Sequence, residues 1–154
     1  TLEFPSNFLS CHYEAELSFL IKNDEIYAVG FGLDLTLRDI QQKLKTKGLP
    51  WERAKSFNKS AVFSDFVLFN KDLKELTLEL YINGKLKQKA QYSFMINKVD
   101  EIINEFKTFS CFEDDDILMT GTPKGVGEFK IADVFVGKIL YKNEILIEKT
   151  FNVI

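Results

Sequence analysis

His12-Tyr13-Glu14-Ala15-Glu16-Leu17-Ser18-Phe19-Leu20-Ile21, followed by Asn23-Asp24 and then residues 25–35, is the stretch on which the fold turns. Tyr13, Ala15, Leu17, Phe19 and Ile21 recur at every second position, the period of a strand with one apolar face. Asn23-Asp24 supplies a tight turn, and residues 25–35 read as the returning strand of an antiparallel hairpin. Glu14 and Glu16, two apart on the first strand, project from one face together with Ser18. On the returning strand Ala28, Gly30, Gly32 and Asp34 share a register, a face stripped of bulk that leaves space beside a carboxylate.

Outward from this hairpin the chain alternates short elements. Residues 36–45 read as a helix, with Thr36 as its cap, Asp39 three residues on, and Leu37, Ile40 and Leu44 as an apolar stripe. Gly48-Leu49-Pro50 ends it, and residues 51–69 are irregular with short extended pieces. Asn83-Gly84 joins two strands over residues 75–83 and 85–92, the strongest short hairpin signal in the chain. A second helix is expected over residues 98–109, and a short buried strand over 116–120 runs into Gly121-Thr122-Pro123-Lys124-Gly125-Val126-Gly127. Residues 134–141 and 145–153 form a last hairpin turned at Lys142-Asn143. The expectation is one β-dominated α+β domain over residues 1–154 with two short helices.

Composition narrows the function. With 154 residues, 45% hydrophobic and 28% charged, the chain has the balance of a globular protein with a real core. Twenty basic residues against 23 acidic ones give a charge of -3 with no basic stripe, which argues against nucleic-acid binding through phosphate neutralisation. No apolar run reaches the ~20 residues of a spanning helix, and the N-terminus lacks the pattern of a signal peptide. Cys11 and Cys111 read as a buried pair of free thiols, and the expected location is cytoplasmic.

Glu14, Glu16 and Asp34 would give a hard divalent cation three oxygen ligands with no imidazole or thiolate among them. Crowding three acids without a cation is costly, because like charges raise one another's pKa values. Spacing alone favours the blander reading, a solvated face of an edge strand. Arg38 and Gln41, at i and i+3 just past Asp34, can reach one site together. Lys55, in an irregular segment, can offer a positive charge to a developing oxyanion. Gly121 and Thr122 open a glycine-rich loop whose N–H groups and hydroxyl can receive an anionic group, although the spacing is not that of a Walker loop. Glu113-Asp114-Asp115-Asp116 is read as a solvated turn, and His12 as a structural histidine beside the glutamate pair.

Four of these segments, in order and across nearly the whole chain, resemble the fumarylacetoacetate hydrolase family: residues 12–17, residues 34–41, Leu49-Pro50-Trp51-Glu52-Arg53-Ala54-Lys55-Ser56-Phe57, and residues 121–127. The resemblance implies a mixed β-sandwich or β-roll of the family's C-terminal catalytic type, usually a homodimer. It implies Mg²⁺ or Mn²⁺ held by Glu14, Glu16 and Asp34, with Arg38, Gln41 and Lys55 in catalytic positions and Gly121, Thr122 and Lys55 against substrate. The implied substrates are small 2-oxo or 1,3-dicarbonyl acids reacting through a metal-stabilised enolate. C–C hydrolysis of an acylpyruvate stands first among the implied reactions. Isomerisation or decarboxylation of a hydroxy-diene-dioate and oxaloacetate tautomerisation or decarboxylation are the alternatives. A non-catalytic binding or assembly module is the rival class. Hydrolytic members carry an N-terminal lid with a His-Glu pair. About a dozen residues precede the first strand here, and the expectation is that metal binding outlasts efficient hydrolysis.

Overall fold

A computed structural model describes residues 1–5, 8 and 10–154. The strands are β1 (His12–Tyr13), β2 (Ala15–Lys22), β3 (Glu25–Asp34), β4 (Ala61–Phe63), β5 (Val67–Leu68), β6 (Leu76–Ile82), β7 (Lys85–Gln91), β8 (Ile117–Met119), β9 (Gly127–Glu128), β10 (Val134–Tyr141) and β11 (Glu144–Asn152). Two short helices join them, α1 (Arg38–Thr46) and α2 (Val99–Phe106). Three hairpins set the frame, each closed by two residues with positive φ: Asn23-Asp24, Asn83-Gly84 and Lys142-Asn143. Such turns follow the right-handed twist of the strands they join.

The hairpins assemble into two curled sheets. One has the order β4-β3-β2-β8, with β5 also paired to β3, and the other has the order β11-β10-β6-β7. β1 pairs with β9 as a third, small ribbon. This is the β-dominated roll expected from the sequence. The sheets meet through an apolar core that includes Phe19, Phe31, Leu33, Leu78, Leu80, Phe135 and Ile139, each with no more than 1% of its surface exposed. Gly137 on β10 lies directly under the Phe31 ring of β3, where a Cβ would stand 2.5 Å from ring carbons. Among the described residues, no helix is long and apolar enough to cross a membrane.

Four local expectations need correction. α1 starts at Arg38, with no side-chain cap, and the Thr36 hydroxyl lies 2.7 Å from the Lys55 Nζ. The strand at residues 116–120 is a three-residue sheet edge with Ile117 exposed, because nothing pairs with it beyond β2. Cys11 is buried but Cys111 is exposed, so the thiols are no pair. The small-residue face of β3 is not open space: Phe66 fills the place of a Cβ on Gly30, and Ser18 and Phe63 fill that on Gly32.

Candidate metal and substrate site

The hairpin register brings the acids together. Ala15 pairs with Leu33, and the Asp34 N–H donates to the Glu14 carbonyl at 2.8 Å, which sets Asp34 beside the start of β2. Glu14, Glu16 and Asp34 each present a carboxylate oxygen, and these oxygens lie within 4.8 Å of one another. The reading of Glu14 and Glu16 as a solvated face fails, since the two are only 8% and 4% exposed, with Arg38 and Lys55 against Glu14 and Gly121 against Glu16.

Lys55 follows a 3₁₀ turn, Glu52–Ala54, whose Ala54 carbonyl receives the Leu37 N–H at 3.0 Å. That anchor aims the lysine at the acids. Its ammonium donates to Glu14 Oε2 at 2.8 Å, Asp34 Oδ2 at 2.6 Å and Thr36 Oγ1 at 2.7 Å, so all three protons are engaged. Arg38 spends its guanidinium on Glu14 Oε1 at 2.5 Å, Gln41 Oε1 at 2.6 Å and His12 Nδ1 at 3.4 Å. The structure therefore gathers Arg38, Gln41, Lys55 and the three acids around one point, with His12 behind Arg38.

The charges are unevenly compensated. Burial acts to raise the Glu14 carboxyl, but Lys55 and Arg38 outweigh it and hold Glu14 below its ordinary value. Burial likewise pulls Lys55 down, yet its bonds to Asp34 and Glu14 keep it above the ordinary lysine value and protonated. Asp34 is raised by burial against the pull of Lys55. Glu16 fares worst. Burial pushes it up to about 7, the Asp34 and Glu14 carboxylates add to this, and its one hydrogen bond is the Gly121 N–H at 2.7 Å. His12 is pushed down, by burial and by Arg38. An oxygen-only donor set with one buried carboxylate short of a positive partner fits a hard divalent cation.

On the far side of β2, strand pairing ends at Ser18 and Met119. Side chains then take over the exposed edge. The Thr120 hydroxyl donates to the Leu17 carbonyl at 2.9 Å, and the Thr122 hydroxyl donates to the Ala15 carbonyl at 3.0 Å. The Ala15 N–H donates to Gln88 Oε1 at 3.0 Å. Gln88 in turn donates from Nε2 to Thr122 Oγ1 and to the Pro123 carbonyl, both at 2.9 Å. The loop is thus seated beside Glu16, but the Thr122 proton points at backbone. Gln88 was not among the expected site residues; its available signal was its place between Leu86 and Ala90, a polar residue on the apolar face of an alternating strand.

Two curled sheets with three converging carboxylates at the open end of one hairpin define the class: a β-roll domain whose acids could hold a metal ion. The family described as Fumarylacetoacetate (FAA) hydrolase C-terminal matches residues 1–140, and the chain belongs to that family. Oxaloacetate tautomerase YcgM of Escherichia coli (strain K12) is 38% identical over 146 residues, covering 86% of this chain and 67% of the relative. The mitochondrial oxaloacetate tautomerase FAHD1 of Mus musculus is 39% identical over 142 residues, covering 84% of this chain and 64% of the relative. The chain thus spans about two thirds of the length of these relatives. A fumarylpyruvate hydrolase of Ralstonia sp is 32% identical over 151 residues, covering 90% of this chain and 79% of that protein. Among solved structures, fumarylpyruvate hydrolase from Pseudomonas aeruginosa in complex with Mn²⁺ and pyruvate superposes with a TM-score of 0.88 at 27% identity, covering 99% of this chain and 70% of that one.

Proposed function

We propose that this chain forms the metal- and substrate-binding domain of an enzyme acting on small 2-oxo diacids through an enolate, with keto–enol tautomerisation of an oxaloacetate-type substrate as its reaction. The observation that carries this reading is the convergence of Glu14, Glu16 and Asp34, with one carboxylate oxygen of each within 4.8 Å of the others and Lys55 bonded to Glu14 and Asp34. Glu14, Glu16 and Asp34 would hold Mg²⁺ or Mn²⁺. When bound, such an ion supplies Lewis acidity that lowers the free energy of negative charge on an enolate oxygen.

The chain's own residues divide the remaining work. Lys55, kept protonated by Asp34 and Glu14, sets its positive charge beside a developing enolate while its three protons stay on Glu14, Asp34 and Thr36, and it is not a base. Arg38 fixes the Glu14 carboxylate and, with Gln41, closes the helix side of the pocket. Gly121 donates to Glu16, and the loop that begins there presents backbone to a substrate carboxylate. Tautomerisation asks only that a proton leave carbon and one be returned, with charge stabilised between. Similarity to two oxaloacetate tautomerases supports this reading over the acylpyruvate hydrolysis first expected from the sequence. Hydrolysis of a fumarylpyruvate-type C–C bond is the second reading, favoured by the Ralstonia relative.

The test follows the enol absorbance of oxaloacetate with the chain and Mg²⁺. Faster ketonisation that disappears with a chelator and in Glu16→Gln supports tautomerisation. A decay equal to the protein-free control overturns it, and release of two acids from fumarylpyruvate instead selects the hydrolytic reading.

A further inference from the structure

Gln88 lies on the other sheet from the acids, on a strand whose remaining residues are mostly exposed, yet it is itself only 1% exposed. The strand pairing explains how. Between Leu80 and Tyr81 the β6–β7 register shifts, so Leu80 faces Gln88 while Tyr81 faces Leu86, and Lys87 is left as the extra residue. On the regular side of that bulge Gln88 sits opposite the core residue Leu80, two residues from Ala90 opposite Leu78, so the alternation of the strand turns it inward, toward the acid strand.

The carboxamide then uses three of its four bonding positions on two partners that the proposed chemistry needs held together. Its oxygen takes the N–H of Ala15, the residue between Glu14 and Glu16. Its nitrogen holds the Thr122 hydroxyl and the Pro123 carbonyl, the crest of the loop. The loop side is fitted to the same spot. Gly125, at φ +103, packs so closely that a Cβ there would meet the Lys87 carbonyl oxygen and lie 3.2 Å from Gln88 Cγ. No strand pairing joins β2 to the loop at this level, so the connection runs through side chains alone.

We infer that Gln88 is a positioning residue, a clamp that fixes the distance between the ligand-bearing strand and the loop that receives the substrate carboxylate. This rests on the function proposed above. A bound substrate spans both parts, one end at the acids and the other at the loop. Without the clamp the loop keeps its direct bonds to the strand, from Thr122 to the Ala15 carbonyl and from Gly121 to Glu16, but its Pro123 end loses its hold, which weakens the oxo acid far more than the cation.

The experiment measures three quantities on the wild-type chain, on Gln88→Met and on Gly125→Ala. These are Mn²⁺ affinity by water-proton relaxation, 2-oxobutyrate affinity by Mn²⁺ broadening of its methyl signal, and Tm by thermal unfolding. Gln88→Met keeps the shape and removes every hydrogen bond, while Gly125→Ala lifts the loop from an intact Gln88. Both variants are expected to bind 2-oxobutyrate about tenfold more weakly, with Mn²⁺ affinity changed less than about threefold, because misplacing a bound group by about 1 Å can cost ~100-fold. A lower Tm with unchanged 2-oxobutyrate affinity in the folded variants assigns Gln88 a structural role and overturns the inference. Should Gln88→Met not fold, Gly125→Ala decides alone. Wild-type protein that binds no Mn²⁺ overturns the metal site and this inference together. Wild-type protein that binds Mn²⁺ but no 2-oxobutyrate overturns the substrate reading and the clamp while leaving the metal site standing.

Discussion

Glu16 and Glu79 are buried to a similar degree, 4% and 8% exposed, on two different sheets, and their chemistry runs in opposite directions. On the β6 strand Glu79 takes a hydrogen bond from Tyr81 at 2.8 Å and an ion pair from Lys89 at 2.8 Å. Burial acts to raise its carboxyl, but those partners outweigh it and hold Glu79 below its ordinary value. Glu16 has two carboxylates for neighbours and one backbone N–H for a partner, and it is pushed up to about 7. The acid completed by its own sheet is architecture. The acid left short of positive charge marks a place for a ligand.

The contrast breaks first at metal binding, where the largest effect is expected. Glu16→Ala is expected to weaken Mn²⁺ by more than about 100-fold, since even partners outside the ligand set change affinity by ~10–100-fold. Isothermal titration measures it, and an affinity within threefold of wild type refutes the triad as ligands. Glu79→Gln in the same titration should bind as wild type does.

Next in size is Gly32→Ala. A Cβ there meets the Ser18 hydroxyl and stands 3.2 Å from the Phe63 ring, in a region with no room to give. Overpacking of this kind costs about 1–3 kcal/mol, read as a lower denaturant midpoint. Gly48→Ala provides the comparison, because nothing lies within 4 Å of a Cβ there and only its positive φ of 63° resists the change. A Gly32→Ala protein as stable as wild type would show that the acid face of the sheet is loosely packed.

Glu79 itself should set part of the acid limb of stability. Its folded-state pKa is depressed from an ordinary 4.5, so its contribution is complete above that value and fades as pH falls through the folded value. Removing a hydrogen-bonded charge of this sort costs about 1–2 kcal/mol at neutral pH. Denaturation curves across pH 3–7 (a range of the order used to follow carboxyl titration) should therefore show Glu79→Gln weaker at neutrality and less sensitive to acid. Parallel curves for the two proteins would remove Glu79 from the account.

The sheet that carries the site was the more legible of the two in its acids and the less legible in their surroundings. Period-two spacing put Glu14 and Glu16 on one face, while the register that sets Asp34 beside them needs both the Asn23-Asp24 turn and a bulge that leaves Tyr27 unpaired in the β2–β3 ladder, since the turn alone would bring Leu33 opposite Glu14. Both are local effects, which short stretches of sequence express. The burial of that face was not local: β8 returns to cover β2 from about 100 residues away, and Phe63 and Phe66 fill the glycine positions from a segment without regular pattern. Lys55 could be named but not aimed, because its direction depends on the Ala54 anchor. Gln88 was hidden by its own polarity: alternation with Leu86 and Ala90 puts it on the inner face, but nothing local shows which distant groups its carboxamide would meet there.

The smallest effect is expected where the sequence is most acidic. Glu113-Asp114-Asp115-Asp116 carries more carboxylates than the triad, all exposed, and they serve their own turn and the β2–β3 hairpin beside it. Asp114 Oδ1 accepts the Asn23 N–H at 2.9 Å, Asp115 Oδ1 accepts the Tyr27 hydroxyl at 2.5 Å, and Asp116 Oδ2 accepts the Glu113 N–H at 2.8 Å. Water screens these exposed charges from one another, so their crowding calls for no cation. Asp114→Asn keeps an oxygen for the Asn23 N–H and should shift stability by no more than about 0.5 kcal/mol. Its Mn²⁺ affinity should equal that of wild type. A loss of metal binding in Asp114→Asn comparable to that in Glu16→Ala would mean that acid count, not burial and convergence, selects the cation, and the distinction between Glu16 and the rest of the molecule's carboxylates would fall with it.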